Sequence, residues 1–170
     1  MGPEDHGVGG RPHGLTHLDD AGHARMVEVG TKPITQRTAV ARATVVMAPA
    51  TAARLATGDL PKGDALPVVR LAGIQAAKET PRLIPLCHQL ALTSVDVAVD
   101  VDTATGVASI LATARAVDRT GVEMEAMTAA SVAALAMYDL VKAVQRDVVV
   151  REVALVAKSG GRSGEWRAGG

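Results

Sequence analysis

An α+β fold, with helices on one face of an antiparallel sheet, is predicted by three observations. Four separate stretches are β-rich, with period-two alternation clear at 94–101 and partial elsewhere, and apolar residues recur at helical spacing between them. Gly, Pro and Asp fall at the switches. The apolar side chains are nearly all small: 48% of the 170 residues are hydrophobic, yet there is no Phe, one Trp and one Tyr. A core without aromatics has to close through tight Ala/Val/Leu packing, or be completed by other subunits.

Each element has its own signal. Residues 36–47 (QRTAVARATVVM) are β-rich and partly alternating, a strand. Pro49 and Gly58 suit the start and end of a short helix. From Asp64 to Lys78 the spacing is helical, with Leu71, Ile74 and Ala77 near one face and Asp64 as the expected N-cap. Residues 94–101 (SVDVAVDV) alternate, DTATG turns, and 107–117 (VASILATARAV) alternates again, which makes a hairpin. Residues 122–146 contain no Gly or Pro and form the longest helix; 147–157 (DVVVREVALVA) is a last strand. The order, strand, helices, strand, strand, helix, strand, is the ferredoxin-like βαββαβ arrangement. The outward sheet face carries small or apolar residues, so a homo-oligomer is expected.

One domain accounts for the length. Residues 1–14 (MGPEDHGVGGRPHG) have too little apolar content to pack and are expected as a disordered leader, residues 15–165 as a single catalytic domain, and 166–170 as a disordered tail. The lone Cys87 excludes an intramolecular disulfide framework and fits a reducing compartment. No apolar run approaches the roughly 20 residues that span a bilayer, and no signal-peptide stretch opens the chain. A soluble, cytoplasmic protein with no membrane partner is the default expectation. Eighteen Lys+Arg balance eighteen Asp+Glu, so no global field recruits a polyanion, and the strand aromatics that stack nucleic-acid bases are missing.

Four groups of residues carry candidate chemistry. In the long helix, Glu125, Thr128, Val132, Leu135, Asp139 and Lys142 follow one another by steps of three and four. Spacing leaves open whether Asp139 and Lys142 form an ordinary surface pair, worth about a few tenths of a kcal/mol, or a pair poised for proton transfer. Lys62 and Gly63 precede a helix start, where free N–H groups favour an anion, although the Walker A spacing is absent. His88 adjoins Cys87 in a Pro-containing apolar connector, LIPLCHQL; adjacency rarely lets such side chains face each other, and a buried structural histidine fits as well. Lys158 and Arg162 flank Gly-Gly, which lets backbone approach a phosphate, and a flexible basic tail would read the same. Lys32 and Arg37 add cations around Thr35. The set agrees on a small, multiply phosphorylated ligand.

Taken together, LTHLDDAGHARMVEVGTK (15–32), KGDAL (62–66), RLAGIQAAKET (70–80), LIPLCHQL (83–90), RTGVEMEAMTAASVAALAMYDLVKAVQ (119–145) and AKSGGRSG (157–164) closely resemble the molybdenum cofactor biosynthesis protein C family, the cyclic pyranopterin monophosphate synthases. The resemblance covers residues 15–165 in the family's order. It implies a ferredoxin-like subunit in a homohexamer, a trimer of dimers, with active sites at subunit interfaces. It further implies conversion of (8S)-3′,8-cyclo-7,8-dihydroguanosine 5′-triphosphate, supplied by a partner radical GTP cyclase, into cyclic pyranopterin monophosphate and pyrophosphate. By the same resemblance Asp139, Lys62 and Lys142 are the acid/base or charge-stabilising residues. Leu86, Cys87 and His88 line the substrate pocket. Met124 and Glu125 hold the guanine-derived ring with Glu123 close by, and Lys32, Arg37 and Lys158 contact the triphosphate. No metal or cofactor motif is present, and none is expected. The chain departs from the family's usual pattern at Glu28 and Gly30 (MVEVG for MVDVS), at Gln89 (CHQL for CHPL) and at Met127 (AMT for ALT), which bears on pocket-edge geometry. The competing class is a non-catalytic ferredoxin-like oligomer that binds a nucleotide.

Overall fold

The computed structural model describes residues 21–169. The 1–14 leader and the first residues of the 15–32 motif lie outside them. The chain runs β1 (Thr35–Val46), α1 (Pro49–Thr57), α2 (Leu66–Leu83), β2 (Leu92–Asp102), β3 (Val107–Asp118), α3 (Glu123–Val141), β4 (Val149–Ser159) and β5 (Trp166–Arg167). The strands form one antiparallel sheet in the order β2-β3-β1-β4-β5. This is the ferredoxin-like α+β arrangement that the alternating segments predict.

Small residues set how the layers meet. Ala39, Ala41, Ala43 and Val45 of β1 and Ala108, Ile110, Ala112 and Ala114 of β3 point inward and have no exposure. They meet a facing row of Ala126, Ala129, Ala130, Ala133, Ala134 and Met137 on α3, equally buried. Alanine against alanine lets helix and sheet approach closely, so packing density replaces aromatic bulk. Gly73 does the same between helices: a Cβ there would sit 3.0 Å from the Ala129 carbonyl and from Val97 Cγ2. On the outward face Val40, Leu111 and Val117 share space with an Arg42–Glu152 ion pair at 3.3 Å, so that face is mixed rather than purely apolar.

The ends of elements differ from expectation for local reasons. Asp64 is not the N-cap of α2. That position is Ala65, but Asp64 Oδ1 still accepts the Leu66 N–H at 3.1 Å. The helix also runs past Lys78 and through Pro81, because Ala76, Ala77 and Thr80 are buried and hold the turn by packing. α3 stops at Val141 rather than 146. There the chain turns, with Val144 and Gln145 N–H both bonded to the Val141 carbonyl, and Gln145 Oε1 accepts the Ala48 N–H at the start of α1. By length and composition α3 would span a bilayer, against the expectation of no such run; ten of its residues are buried against sheet and α2, so its apolarity serves the core. Within the segment expected as a disordered tail, Trp166 and Arg167 pair with Lys158 and Ala157 on the free edge of β4. An unpaired strand edge offers backbone donors and acceptors to any nearby chain.

Candidate active site

The N-terminal end of β1, the C-terminal ends of β3 and β4 and the first turn of α3 converge on a cavity of about 510 Å³. Lys32, Arg37, Arg119, Lys158 and Arg162 line it, against the single carboxylate of Glu123. Five cations to one anion, beside a helix N-terminus, make a local anion site on a neutral chain. Lys158 Nζ bonds Glu123 Oε1 at 2.9 Å. Arg37 donates from Nε to the Asp118 carbonyl at 3.3 Å and from Nη2 to the Arg119 carbonyl at 3.2 Å. Gly161, at φ 72°, lies against the same guanidinium; any Cβ there would overlap it. That close approach explains Gly-Gly between Lys158 and Arg162.

A second cavity of about 380 Å³ adjoins the first and shares Lys32, Thr120, Gly121 and Glu123 with it. Leu86, Cys87, His88 and Met124 form its far wall. His88 Nε2 lies 2.7 Å from the Val27 carbonyl, which can only accept, so Nε2 carries the proton. The two cavities are one groove, with charge at one end and apolar and imidazole surface at the other. Among the described residues no three His, Cys, Asp or Glu side chains converge as metal ligands would.

Glu125 sits differently from its neighbours. It is 1% exposed and lines a separate cavity of about 250 Å³ behind the connector, with Ala77, Lys78, Pro81, Gln89, Leu90 and Leu92. Its Oε1 accepts a weak hydrogen bond from Cys87 Sγ at 3.6 Å, and its Oε2 is buried without a partner. Two residues along a helix is a turn of about 200°, which sends Glu123 to the groove and Glu125 inward. Burial pushes the Glu125 carboxyl above its ordinary 4.5. A raised value means that the folded state holds the proton more tightly than the unfolded chain. The stability this gives is complete below the unfolded value and lost as pH rises through the folded one, at up to about 1.4 kcal/mol per pH unit. Glu125→Gln should therefore flatten the pH dependence of stability on the alkaline side. Urea titrations between about pH 4 and pH 9 check this; a variant as pH-sensitive as the parent chain contradicts it.

Burial, then the Glu125 and Glu123 carboxylates, push the Cys87 thiol from 9.0 up to about 11. The thiolate is the reactive form, so Cys87 should alkylate more slowly in the folded chain than an ordinary thiol does near neutral pH. Iodoacetamide rates on folded and urea-unfolded chain measure the ratio; equal rates would refute it. Cys87 thus lines the groove and donates a hydrogen bond to Glu125.

The third cluster lies at the opposite end of α3. Lys62, in the loop after α1, bonds Asp139 Oδ2 at 2.8 Å and the Asp139 carbonyl at 3.2 Å. Lys142 holds Oδ1. Hydrogen bonds from Lys142 and Lys62 keep the Asp139 carboxyl down to about 2, and Asp139 raises Lys142 in turn. All three side chains are about half exposed. The structure thus joins Lys62, Asp139 and Lys142, and separately joins Lys32, Arg37, Leu86, Cys87, His88, Glu123, Met124 and Lys158. It does not bring the two groups together within one protomer: Glu123, in the groove, and Asp139 are 16 residues apart, or about 24 Å along a helix. Spacing does not single out Arg119; its signal is a cation between a strand end and the Thr-Gly turn that starts α3.

The MoaC family model matches residues 26–161. This chain belongs to the MoaC family. Relatives named cyclic pyranopterin monophosphate synthase agree with it over nearly their whole length. One from Roseiflexus castenholzii is 60% identical over 151 residues, 89% of this chain and 96% of the relative. One from Roseiflexus sp. (strain RS-1) is 58% identical over 152 residues, again 89% and 96%. A third, from Parvibaculum lavamentivorans, is 51% identical over 154 residues, 91% and 96%. The MoaC match encloses the Lys62–Asp139–Lys142 cluster and all of the groove's lining except Arg162 and Ser163, since it stops at Gly161.

Proposed function

We propose that this MoaC-family chain is a cyclic pyranopterin monophosphate synthase, a lyase of molybdenum cofactor biosynthesis acting on (8S)-3′,8-cyclo-7,8-dihydroguanosine 5′-triphosphate. The observation that carries this is the groove: a five-cation section continuous with a section walled by His88, Cys87, Leu86 and Met124. That division matches a ligand with a triphosphate at one end and a polar heterocycle at the other. Pyrophosphate leaves when a substrate hydroxyl oxygen attacks the α-phosphorus: the new P–O bond forms, the bond to the β-phosphate bridge breaks, and the hydroxyl proton must be taken up. Lys32, Arg37 and Lys158 stabilise the charge that develops on the departing pyrophosphate.

The proton-handling group in this reading is Lys62–Asp139–Lys142. Ionised and clasped by two ammoniums, Asp139 is a weak base as it stands. Withdrawal of either lysine toward phosphate raises it and readies it for proton transfer. The span of about 24 Å along α3 favours pairing that group with the groove of a second copy, in a working site between protomers. A trimer of dimers in the cytoplasm, fed by a radical GTP cyclase, is the assembly this reading adopts. The direct test supplies the cyclised dihydro-GTP and measures pyrophosphate and pterin. Binding without release of either would replace the synthase reading with a nucleotide-binding oligomer.

A further inference from the structure

The groove's cations differ in how much hydrogen-bonding capacity they have left. Lys158 is held by Glu123 at 2.9 Å. Arg37 commits two of its nitrogens to the Asp118 and Arg119 carbonyls and is backed by Gly161. Arg119 commits only Nε, to the Lys32 carbonyl at 3.1 Å. An arginine carries five N–H donors, and among the described residues the four on the terminal nitrogens of Arg119 have no partner. The side chain lines the cavity of about 510 Å³. So does Thr35, whose hydroxyl is buried without a partner. A fixed guanidinium with its fork unused, beside an unsatisfied hydroxyl, is a site lacking only its acceptor.

We propose that Arg119 is a direct phosphate-binding residue, gripping a phosphate with its two terminal nitrogens while the Lys32 carbonyl fixes the plane of its guanidinium. The inference rests on the triphosphate reading of the groove. It divides the roles of the cations: Arg37 lends its charge while bracing the loop that carries Arg119, and Arg119 delivers the paired donors. A planar fork matches two phosphate oxygens in a way that a lysine does not. Holding it in advance removes part of the ordering cost that a free side chain would meet on binding.

Arg119→Gln should raise KM for the cyclised triphosphate by about 10- to 100-fold, the range for a lost hydrogen bond to a charged group. Inhibition by inorganic tripolyphosphate should weaken in parallel, with kcat changing much less. Because Arg119 also holds the Lys32 backbone, the decisive measurement repeats the change in a Lys32→Ala background. A direct contact still raises KM there. If Arg119→Gln is silent in that background, or leaves KM unchanged alone, Arg119 is only a brace and the proposal is overturned. Should Arg119→Gln fail to fold by circular dichroism, Arg119→Lys replaces it, with a smaller KM rise expected and an unchanged KM again decisive. If the parent chain releases no pyrophosphate, the synthase reading is what has failed. Calorimetric binding of tripolyphosphate to parent and variant then still decides whether Arg119 grips phosphate.

Discussion

Asp139→Asn should lower kcat by about 10²- to 10⁴-fold, the usual span for losing a general acid–base group, while leaving the fold intact. Asn has the same shape but no charge, so the ammoniums of Lys62 and Lys142, drawn together by one carboxylate, face each other without it. Their proton affinities fall, and neither is held where the carboxylate placed it. Lys62→Ala should match this loss, because Asp139 keeps Lys142 but loses the cation arriving from the far loop. The side chains are about half exposed, so melting temperature should barely move. The pH profile separates this from a structural effect. With Asp139 held down to about 2, kcat/KM of the parent chain should show no acidic limb from this residue near neutral pH. Full activity in both variants would remove the cluster from the mechanism.

The residues of this cluster are legible as chemistry in the sequence alone, and their separation from the groove is nearly so. A helix that begins near Glu123 and contains Asp139 fixes a span of about 24 Å between the two. Helical steps also predict that Glu125 and Asp139 follow one row. Steps of three and four drift around a helix, however, so the row starts buried at Glu125 and Thr128 and is exposed by Leu135, 60% accessible. Which cations share a cavity is not legible in spacing. Arg119 and Lys158 are 39 positions apart and meet only because β3 and β4 both flank β1. The hairpin and α1 follow closely from sequence, since Pro49, Gly58 and DTATG act locally. The continuation of α2 through Pro81, the early end of α3 and the pairing of Trp166 each depend on contacts with distant chain.

Mixing two inactive variants should restore activity, and this is the sharpest consequence of a site divided between copies. Lys62→Ala removes a residue from the cluster beyond the C-terminal half of α3; His88→Ala removes one from the groove near its N-terminus. If each working site takes its cluster from one protomer and its groove from another, a mixed pair contains two kinds of site. One combines both lesions and is dead, and the other combines the intact halves. In a symmetric dimer mixed at random from equal amounts, half the pairs are mixed and half of their sites are intact, so about a quarter of parent activity returns. The trimer of dimers gives the same quarter, because each site still draws its two halves at random. Isolation of doubly tagged protein leaves it there, since nearly every mixed hexamer carries both tags. A site contained in one protomer predicts no recovery at any ratio, because every protomer then carries a lesion in its own site. The measurement needs only the pyrophosphate assay and the two single variants as controls. It is also indifferent to which proton each residue moves, since a site with both halves intact works whatever the order of transfers. Recovery at the level of the controls alone would mean that the roughly 24 Å between cluster and groove is bridged by movement within one chain. The Lys62–Asp139–Lys142 cluster would then need a role other than proton transfer at the groove of a partner.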